Sequence, residues 1–432
     1  MSASTGVTRV TAAERGGNRM VDTISWYLGF DWGSEIHAAC LVDGTGQPVE
    51  TFIVAHDATS VSAFLDRVLA RTGGGPARIA VAIETPHGLV VAALMARGLS
   101  VYAINPKQLD RFRDRHTAAG AKDDRRDAFV LADSLRTDRP AFRRVQVEDQ
   151  RLIELREYSR ALEDVEAEHR RLANRVREHV SRLVPGWLRL CPAADEAWFW
   201  ALLTRTLGRD GPRHLSRAAV AQLLRQHRIR RLTAEEVVTV LDAPVFPAAP
   251  GTAAAVAGQL GLLLPRLDLL RTQRRQCEAR LDALLDALAD EGPETERTGH
   301  RDVAILRSLP GVGRVVAATM LAEVAQPLAA RDYHTLRAQA GTAPVTKQSG
   351  KWYRVVMMRR ACNPRVRQAV HHWARVSVQH DAVTRQYYRQ MRARGHSNGR
   401  ALRAVADRWL RILTAMLRNG TLYNADHLAS AA

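Results

Sequence analysis

The sequence predicts an α/β domain at the N-terminus, a long helical midsection and a mainly α-helical C-terminal domain. Three observations carry this. Between Ile24 and about Arg136, short apolar runs alternate with stretches of helical spacing. From about Glu148 to Val184, apolar residues recur at a three/four spacing without a break. Beyond Arg301 the pattern is again helical and the chain turns strongly basic. The expected boundaries are a disordered tail over 1–22, the α/β domain over 23–147, a coiled coil with a helical insert over 148–300, and a terminal domain over 301–432.

In the first domain "ISWYLGFD" reads as a strand. "HAACLVD" and "VETFIVA" read as two more, joined by the turn Asp43-Gly44-Thr45-Gly46. Three short strands in series predict an antiparallel meander. A helix over 59–71, a buried strand "RIAVAIE", a helix over 88–97, the strand "SVYAI" and helices from about 106 and 123 follow. The order βββαβαβα is that of an RNase H-like fold.

In the midsection Leu155, Tyr158, Leu162, Val165, His169, Leu172, Val176 and Leu183 make one seam with charges between them, and Pro185-Gly186 stops it. A second seam runs through Leu267, Leu270, Cys277, Leu281, Leu284 and Leu288. The two can pair as an antiparallel hairpin or across a dimer. The insert between them (about 186–263) carries aromatic-rich "EAWFWALL" and no visible function. It ends in "DAPVFPAAPGTAAAVAG", which reads as a linker.

Four carboxylates stand out in the first domain. Asp31 and Glu84 each end a predicted strand, and Asp124 and Asp127 sit three apart on a predicted helix, hence on one face. Carboxylates from separate elements are the hard oxygen donors that two Mg²⁺ ions need beside a phosphodiester. Taken alone, "KDDRRD" is equally the charged, solvated start of a helix, and Asp123 reads as facing solvent. The four together favour a metal site.

The last domain opens with "ILRSLPGVGRVVAATMLAEV", a helix–turn–helix with its turn at Leu309-Pro310-Gly311-Val312-Gly313. Gly311 and Gly313 let the backbone bend and approach a phosphate at the next helix N-terminus, beside Arg314. An ordinary helical hairpin would show the same glycines. Further on, Ser349-Gly350 reads as an exposed turn flanked by Lys347, Lys351 and Arg354, and Arg359, Arg360, Arg365 and Arg367 read as phosphate contacts. A Ser-Gly turn is by itself usually structural; surrounded by cations, the hydroxyl is also a candidate nucleophile for phosphorus.

The formal charge of +18 points to a polyanionic partner. From Lys351 to Arg418 there are 16 Lys/Arg against Asp381 and Asp407, so a net +14 lies in that stretch. An anionic membrane is the weaker partner, because runs such as "GLVVAALMA" (88–96) are too short to span a bilayer. Cys40, Cys191, Cys277 and Cys362 lack metal-ligand spacing, and no cleavable leader is evident, so a cytoplasmic setting is expected.

"DWG", "IETPHG", "NPKQLDRFRDRH", "AGAKDDRRDAFVLADSLR", "LRSLPGVGRVVAATMLAEV" and "AGTAPVTKQSGKW", in that order, resemble the DEDD transposases of the IS one-ten insertion-sequence family. The resemblance covers nearly the whole chain. It implies a RuvC-like first domain, a coiled coil and a C-terminal transposase domain. It also implies a Mg²⁺-dependent recombinase guided by a structured noncoding bridge RNA that pairs with donor and target DNA. Asp31, Glu84, Asp124 and Asp127 would be the DEDD residues, and Ser349 the nucleophile that forms a covalent phosphoserine link. Dimers would join into a tetramer on two DNA duplexes, with sites shared between the two domain types. Two features depart from the family pattern: Cys362-Asn363-Pro364-Arg365 replaces a Gly-Asn pair before Leu-Arg, and the 186–263 insert has no clear counterpart. Two other functions remain open on the residues: a structure-selective endonuclease of Holliday-junction resolvase type using water, and a nucleic-acid packaging protein without catalysis.

Overall fold

The computed structural model describes residues 24–85, 88–104, 109–112, 123–146, 149–208, 211–245, 247–249, 251–290, 301–349 and 352–425. The tail expected to be disordered lies outside them, as does most of the helix expected from about 106. The chain divides into two compact units, Met1–Glu148 and Asp149–Ala432.

The first unit is built on a six-stranded sheet of order β3-β2-β1-β4-β5-β6. The strands are β1 (Trp26–Asp31), β2 (Ile36–Asp43), β3 (Pro48–Ala55), β4 (Ile79–Ile83), β5 (Ser100–Ala103) and β6 (Arg143–Arg144). The first three form the antiparallel meander, and β1, β4 and β5 run parallel. The mixed sheet with covering helices is consistent with an RNase H-like fold. Side chains alternate across a pleated sheet, and here the two faces divide cleanly. Leu28, Phe30, Val81 and Ile83 share a core with Phe64 and Leu65 of α1 (Ala58–Arg71) and Leu94 of α2 (Leu89–Ala96). Ala80, Ala82, Ala38 and Cys40 face the other way, toward Ala128, Leu131, Ala132 and Leu135 of α3 (Asp124–Asp138). Small residues on that face let α3 lie close. At Gly29 an added Cβ would stand 1.8 Å from the Ala128 carbonyl oxygen. The short antiparallel strand β6, pairing with β5, was not anticipated.

The second unit is mostly helical. Two long helices, α4 (Gln150–Leu183) and α8 (Thr252–Asp290), lie side by side. Glu154 pairs with Arg280 at 2.6 Å and Glu168 with Arg266 at 3.1 Å, so they run antiparallel. The expected linker ends early: Gly251, at φ +83°, closes the irregular stretch, and Thr252 onward is helix. Alanine favours helix, and Val256 and Leu260 are buried, so this stretch has both propensity and a core to join. Part of α8 is apolar enough, by length and composition, to cross a membrane. Its Leu263, Leu264, Leu267 and Leu270 are packed in a core with Trp198, Phe199 and Trp200 of α5 (Ala197–Thr206) and with Leu223 of α6 (Arg217–Gln226) and Val237 of α7 (Ala234–Leu241). The aromatic run of the insert is therefore the centre of this core.

The other ends of α4 and α8 (Leu155, Leu162, Leu281, Leu285) enter a second core with the terminal helices. These are α9 (Asp302–Ser308), α10 (Arg314–Glu323), α11 (Ala325–Ala329), α12 (Tyr333–Gln339), α13 (Pro364–His380), α14 (Ala382–Ala393) and α15 (Asn398–Asn419). Among the described residues Trp373 and Trp409 stack at its centre, 5.7 Å apart. Beyond the helices, the described residues of this unit form two antiparallel strand pairs. The dipeptides Leu207–Gly208 (β7) and Gly211–Pro212 (β8) form one, and β9 (Val345–Ser349) with β10 (Trp352–Met357) forms the other.

Candidate metal and nucleic-acid sites

The pairing of β1 with β4 brings two carboxylates together. Phe30 is the partner of Ile83, so Asp31 and the next residue, Glu84, end adjacent parallel strands side by side. Such strands lie about 4.8 Å apart. Both residues continue the alternation of Gly29 and Ala82 and so belong to the α3 face. Both are half-buried. Asp127 reaches the same end from above. It occupies the first turn of α3, next to Ala128 at the Gly29 contact, and is 4 % exposed. Asp124 lies one turn nearer the helix N-terminus and is exposed. Asp123 is exposed, as expected, and it caps α3 by accepting the Arg125 N–H at 3.1 Å. Thus Asp31, Glu84 and Asp127 share one end of one sheet face, with Asp124 at its margin. A donor set made only of carboxylate oxygens on fixed elements suits a hard divalent ion such as Mg²⁺.

In the second unit, the 309–313 turn is half inward-facing. Gly311 has φ +85°, and a Cβ there would stand 2.8 Å from the Ser377 nitrogen; Trp373 Nε1 donates to the Pro310 carbonyl at 2.9 Å. Gly313 begins α10 with open space around it. Arg314 is held by Asp282 through both its Nε (2.6 Å) and Nη2. That partner, 32 residues upstream on α8, left no signal in the sequence.

Ser349 is the last residue of β9, paired with Trp352. The strands β9 and β10 flank the turn expected at Ser349-Gly350. Gly350 and Lys351 lie outside the described residues, as do the side chains of Lys347, Ser349 and Arg354. Of the arginines that follow, Arg360 is exposed and Arg359 half-buried with its Nε unbonded. Arg365 donates to Glu163 on α4, and Arg367 lies half-buried beside Gly341. Asn363-Pro364, one departure from the family pattern, is a helix start. The Asn363 side chain accepts from the Arg365 and Val366 nitrogens, and Pro364 takes the first helical position, where its missing N–H costs nothing. Asn363 Nδ2 also donates to Glu323 at 3.0 Å. Burial alone would raise the Glu323 carboxyl; the Arg160 and Asn363 bonds outweigh it and hold it below the ordinary range.

The two acids of the basic stretch are both used internally. Asp407 accepts from Arg337 (2.9 Å), Tyr333 (3.0 Å) and Thr342 (2.9 Å). Asp381 caps α14 through Thr384 N at 2.7 Å. Arg389, Arg394 and Arg400 of the same stretch are exposed.

Comparison with known proteins places this architecture. A transposase model of the DEDD IS110 type matches residues 28–185, and the model "Transposase IS116/IS110/IS902 family" matches 303–389. The transposase candidate y4uE of Sinorhizobium fredii is 44% identical over 219 residues, spanning 50% of this chain and 61% of that one. The mini-circle transposase candidate for IS117 of Streptomyces coelicolor is 30% identical over 90% of this chain and 93% of its own length. The 43.6 kDa protein of insertion element IS110, from the same organism, is 28% identical over 94% and 98%. Two matching models and a relative aligned nearly end to end lead to one conclusion: the chain belongs to the IS116/IS110/IS902 family of transposases and is an enzyme that acts on DNA.

Proposed function

We propose that this transposase cuts and rejoins DNA through a covalent phosphoserine at Ser349, with Asp31, Glu84, Asp124 and Asp127 as the ligands of Mg²⁺. The observation that carries the reading is the side-by-side ending of β1 and β4 at Asp31 and Glu84, with Asp127 preceding the Ala128 contact at Gly29 on the same face. Bound Mg²⁺ would supply positive charge to the phosphate oxygens. Ser349 gives up its hydroxyl proton, its oxygen bonds phosphorus, and the broken P–O bond releases one strand end as a hydroxyl. Lys347, Lys351 and Arg354, flanking the serine in sequence, offset the charge that develops on phosphorus. Gly311, Gly313 and Arg314, with Arg359, Arg360, Arg365 and Arg367, form the nucleic-acid contacts, and Arg314 and Arg365 must exchange Asp282 and Glu163 for phosphate to take part.

The wider scheme rests on the family. A noncoding bridge RNA selects donor and target DNA. The α4–α8 pair serves as the coiled coil. Dimers assemble into a tetramer in which carboxylates and serine come from different domains. Delegating sequence to the RNA leaves the protein to grip backbone.

The test is a denaturing gel of protein incubated with element-end DNA, its RNA and Mg²⁺. The native chain should leave a covalent protein–DNA adduct. Ser349→Ala should form none and lose cleavage, and Asp31→Asn should lose both. Full cleavage by Ser349→Ala with no adduct in the parent would establish the water-using endonuclease instead. Unchanged activity in Asp31→Asn would remove the carboxylates from the chemistry.

A further inference from the structure

The residue after Asp31 is a tryptophan in an unusual setting. Trp32 is 48% exposed, and two more exposed apolar side chains stand at the same end of the sheet: Ile36 at 58%, where β2 begins, and Leu89 at 80%, after the Glu84 loop. Single exposed apolar residues are ordinary. All three lie where β1 and β4 finish; Trp32 directly follows Asp31, and its ring joins the Phe30 side of the sheet.

The turn that presents Trp32 is rigidly built. Gly33 N–H donates to His37 Nδ1 at 3.1 Å, and a Cβ at Gly33 would meet the Ile36 carbonyl oxygen at 2.1 Å. His56 N–H donates to the Glu35 carbonyl at 2.9 Å. Because His37 Nδ1 accepts, its Nε2 carries the proton and donates to His56 Nδ1, 2.9 Å away. The rings continue this framework into the core. Phe64 lies 5.9 Å from Phe30, Phe30 5.0 Å from His37, and both His37 and His56 lie 6.2 Å from Trp32. His37 is wholly buried. The indole is thus the exposed end of an aromatic chain anchored inside the domain, and fixing it costs little further entropy when a ligand arrives.

The chemistry around it selects the ligand. Asp31, Glu35 and Glu84 give this end negative charge, so apart from any bound cation it favours an uncharged group over phosphate. A flat, uncharged nucleobase suits an exposed indole, and every base has a face to stack. Inside a duplex that face is covered, so the base must be unpaired.

We propose that Trp32 is a stacking platform for an unpaired nucleobase at the strand end that carries the carboxylates, on the face of the sheet opposite to theirs. This rests on the reading of those carboxylates as the metal site. Stacking acts on whichever base arrives and does not read sequence.

The test uses the full chain with a single-stranded oligonucleotide carrying 2-aminopurine, whose fluorescence falls on stacking, and its abasic counterparts. The native chain should quench the probe. Trp32→Ala should relieve the quenching and weaken binding of the base-bearing strand by roughly tenfold, while an abasic strand binds as before. Trp32→Phe should restore most of both. Equal loss on base-bearing and abasic strands, or no loss on either, would overturn the platform. Mg²⁺-dependent cleavage by Asp31→Asn, measured separately, decides the carboxylate reading: if it persists, that reading fails whatever Trp32 does.

Discussion

Gly29 shows how one missing side chain can set a site. Its hydrogen lies where any Cβ would stand 1.8 Å from the Ala128 carbonyl oxygen and 2.6 Å from the Ala132 nitrogen. Both are backbone atoms of a helix, which cannot step aside singly. Gly29→Ala must therefore lift α3, and Asp127 with it, away from Asp31. We expect thermal unfolding of the first unit to shift by the equivalent of about 1–3 kcal/mol, with loss of Mg²⁺-dependent cleavage. An unchanged melting curve would show that α3 has slack. At this scale the sequence placed Asp31 and Glu84 at strand ends and Asp127 near a helix start, because each sits at the end of a pattern it helps to define. It was silent on Arg314, whose partner Asp282 belongs to a helix 32 residues away. It was also silent on the anchoring of Trp32, which depends on His37 and His56 meeting across the ends of two strands.

Among elements, the junction of α4, α10 and α13 is a polar contact around a largely buried carboxylate. Glu323, 9% exposed at its side chain, receives Arg160 and Asn363, while Arg156 donates to the neighbouring Ala322 carbonyl. A carboxyl held below its ordinary pKa stabilises the fold above the unfolded value, about 4.3. That stabilisation is lost as pH falls through the lower folded value. Urea unfolding of the native chain should therefore weaken in that acidic window. Glu323→Gln should be less stable at neutral pH and flatter across the window; parallel curves for the two proteins would contradict this. A second test concerns α8. Pro265 sits inside it and leaves the Gly261 carbonyl without its helical donor. Both line a cavity of about 430 Å³ with Trp200, His227 and Arg271. Pro265→Ala restores the donor and should raise the melting temperature; a fall would mean that the interrupted helix is needed for packing. The long helices were legible because their periodicity runs for many turns. The 252–258 segment was not, since alanine and glycine carry no amphipathic pattern and the burial of Val256 depends on the insert core. The β9–β10 hairpin was missed for a related reason: "KWYRVVMM" has strand propensity, but its partner strand begins among residues read as a loop.

Over the whole molecule the excess of positive charge has a definite address. The terminal stretch is basic, and its Arg389, Arg394 and Arg400 are exposed to solvent. Duplex DNA binding should fall steeply with salt, measured by fluorescence anisotropy. Arg389→Ala and Arg400→Ala should each lower affinity alike for all sequences and reduce the log–log salt slope by about 0.9 for each phosphate no longer neutralised. An unaltered slope would place the phosphate grip elsewhere. The fold class and the order of elements could be read from the sequence because the RNase H-like pattern is a series of short, regular signals. The partners of each arginine could not, because they are set by packing between distant helices. The docking of α3 has one more consequence. The proposed ligands come from segments far apart in the chain, and the last of them arrives only when a helix closes onto a glycine with no room to spare. A partly unfolded chain would hold Asp31 and Glu84 without Asp127. Such a chain would keep its basic terminal stretch yet lack one of the proposed ligands. Folding would then act as the safety catch on an enzyme that breaks chromosomes.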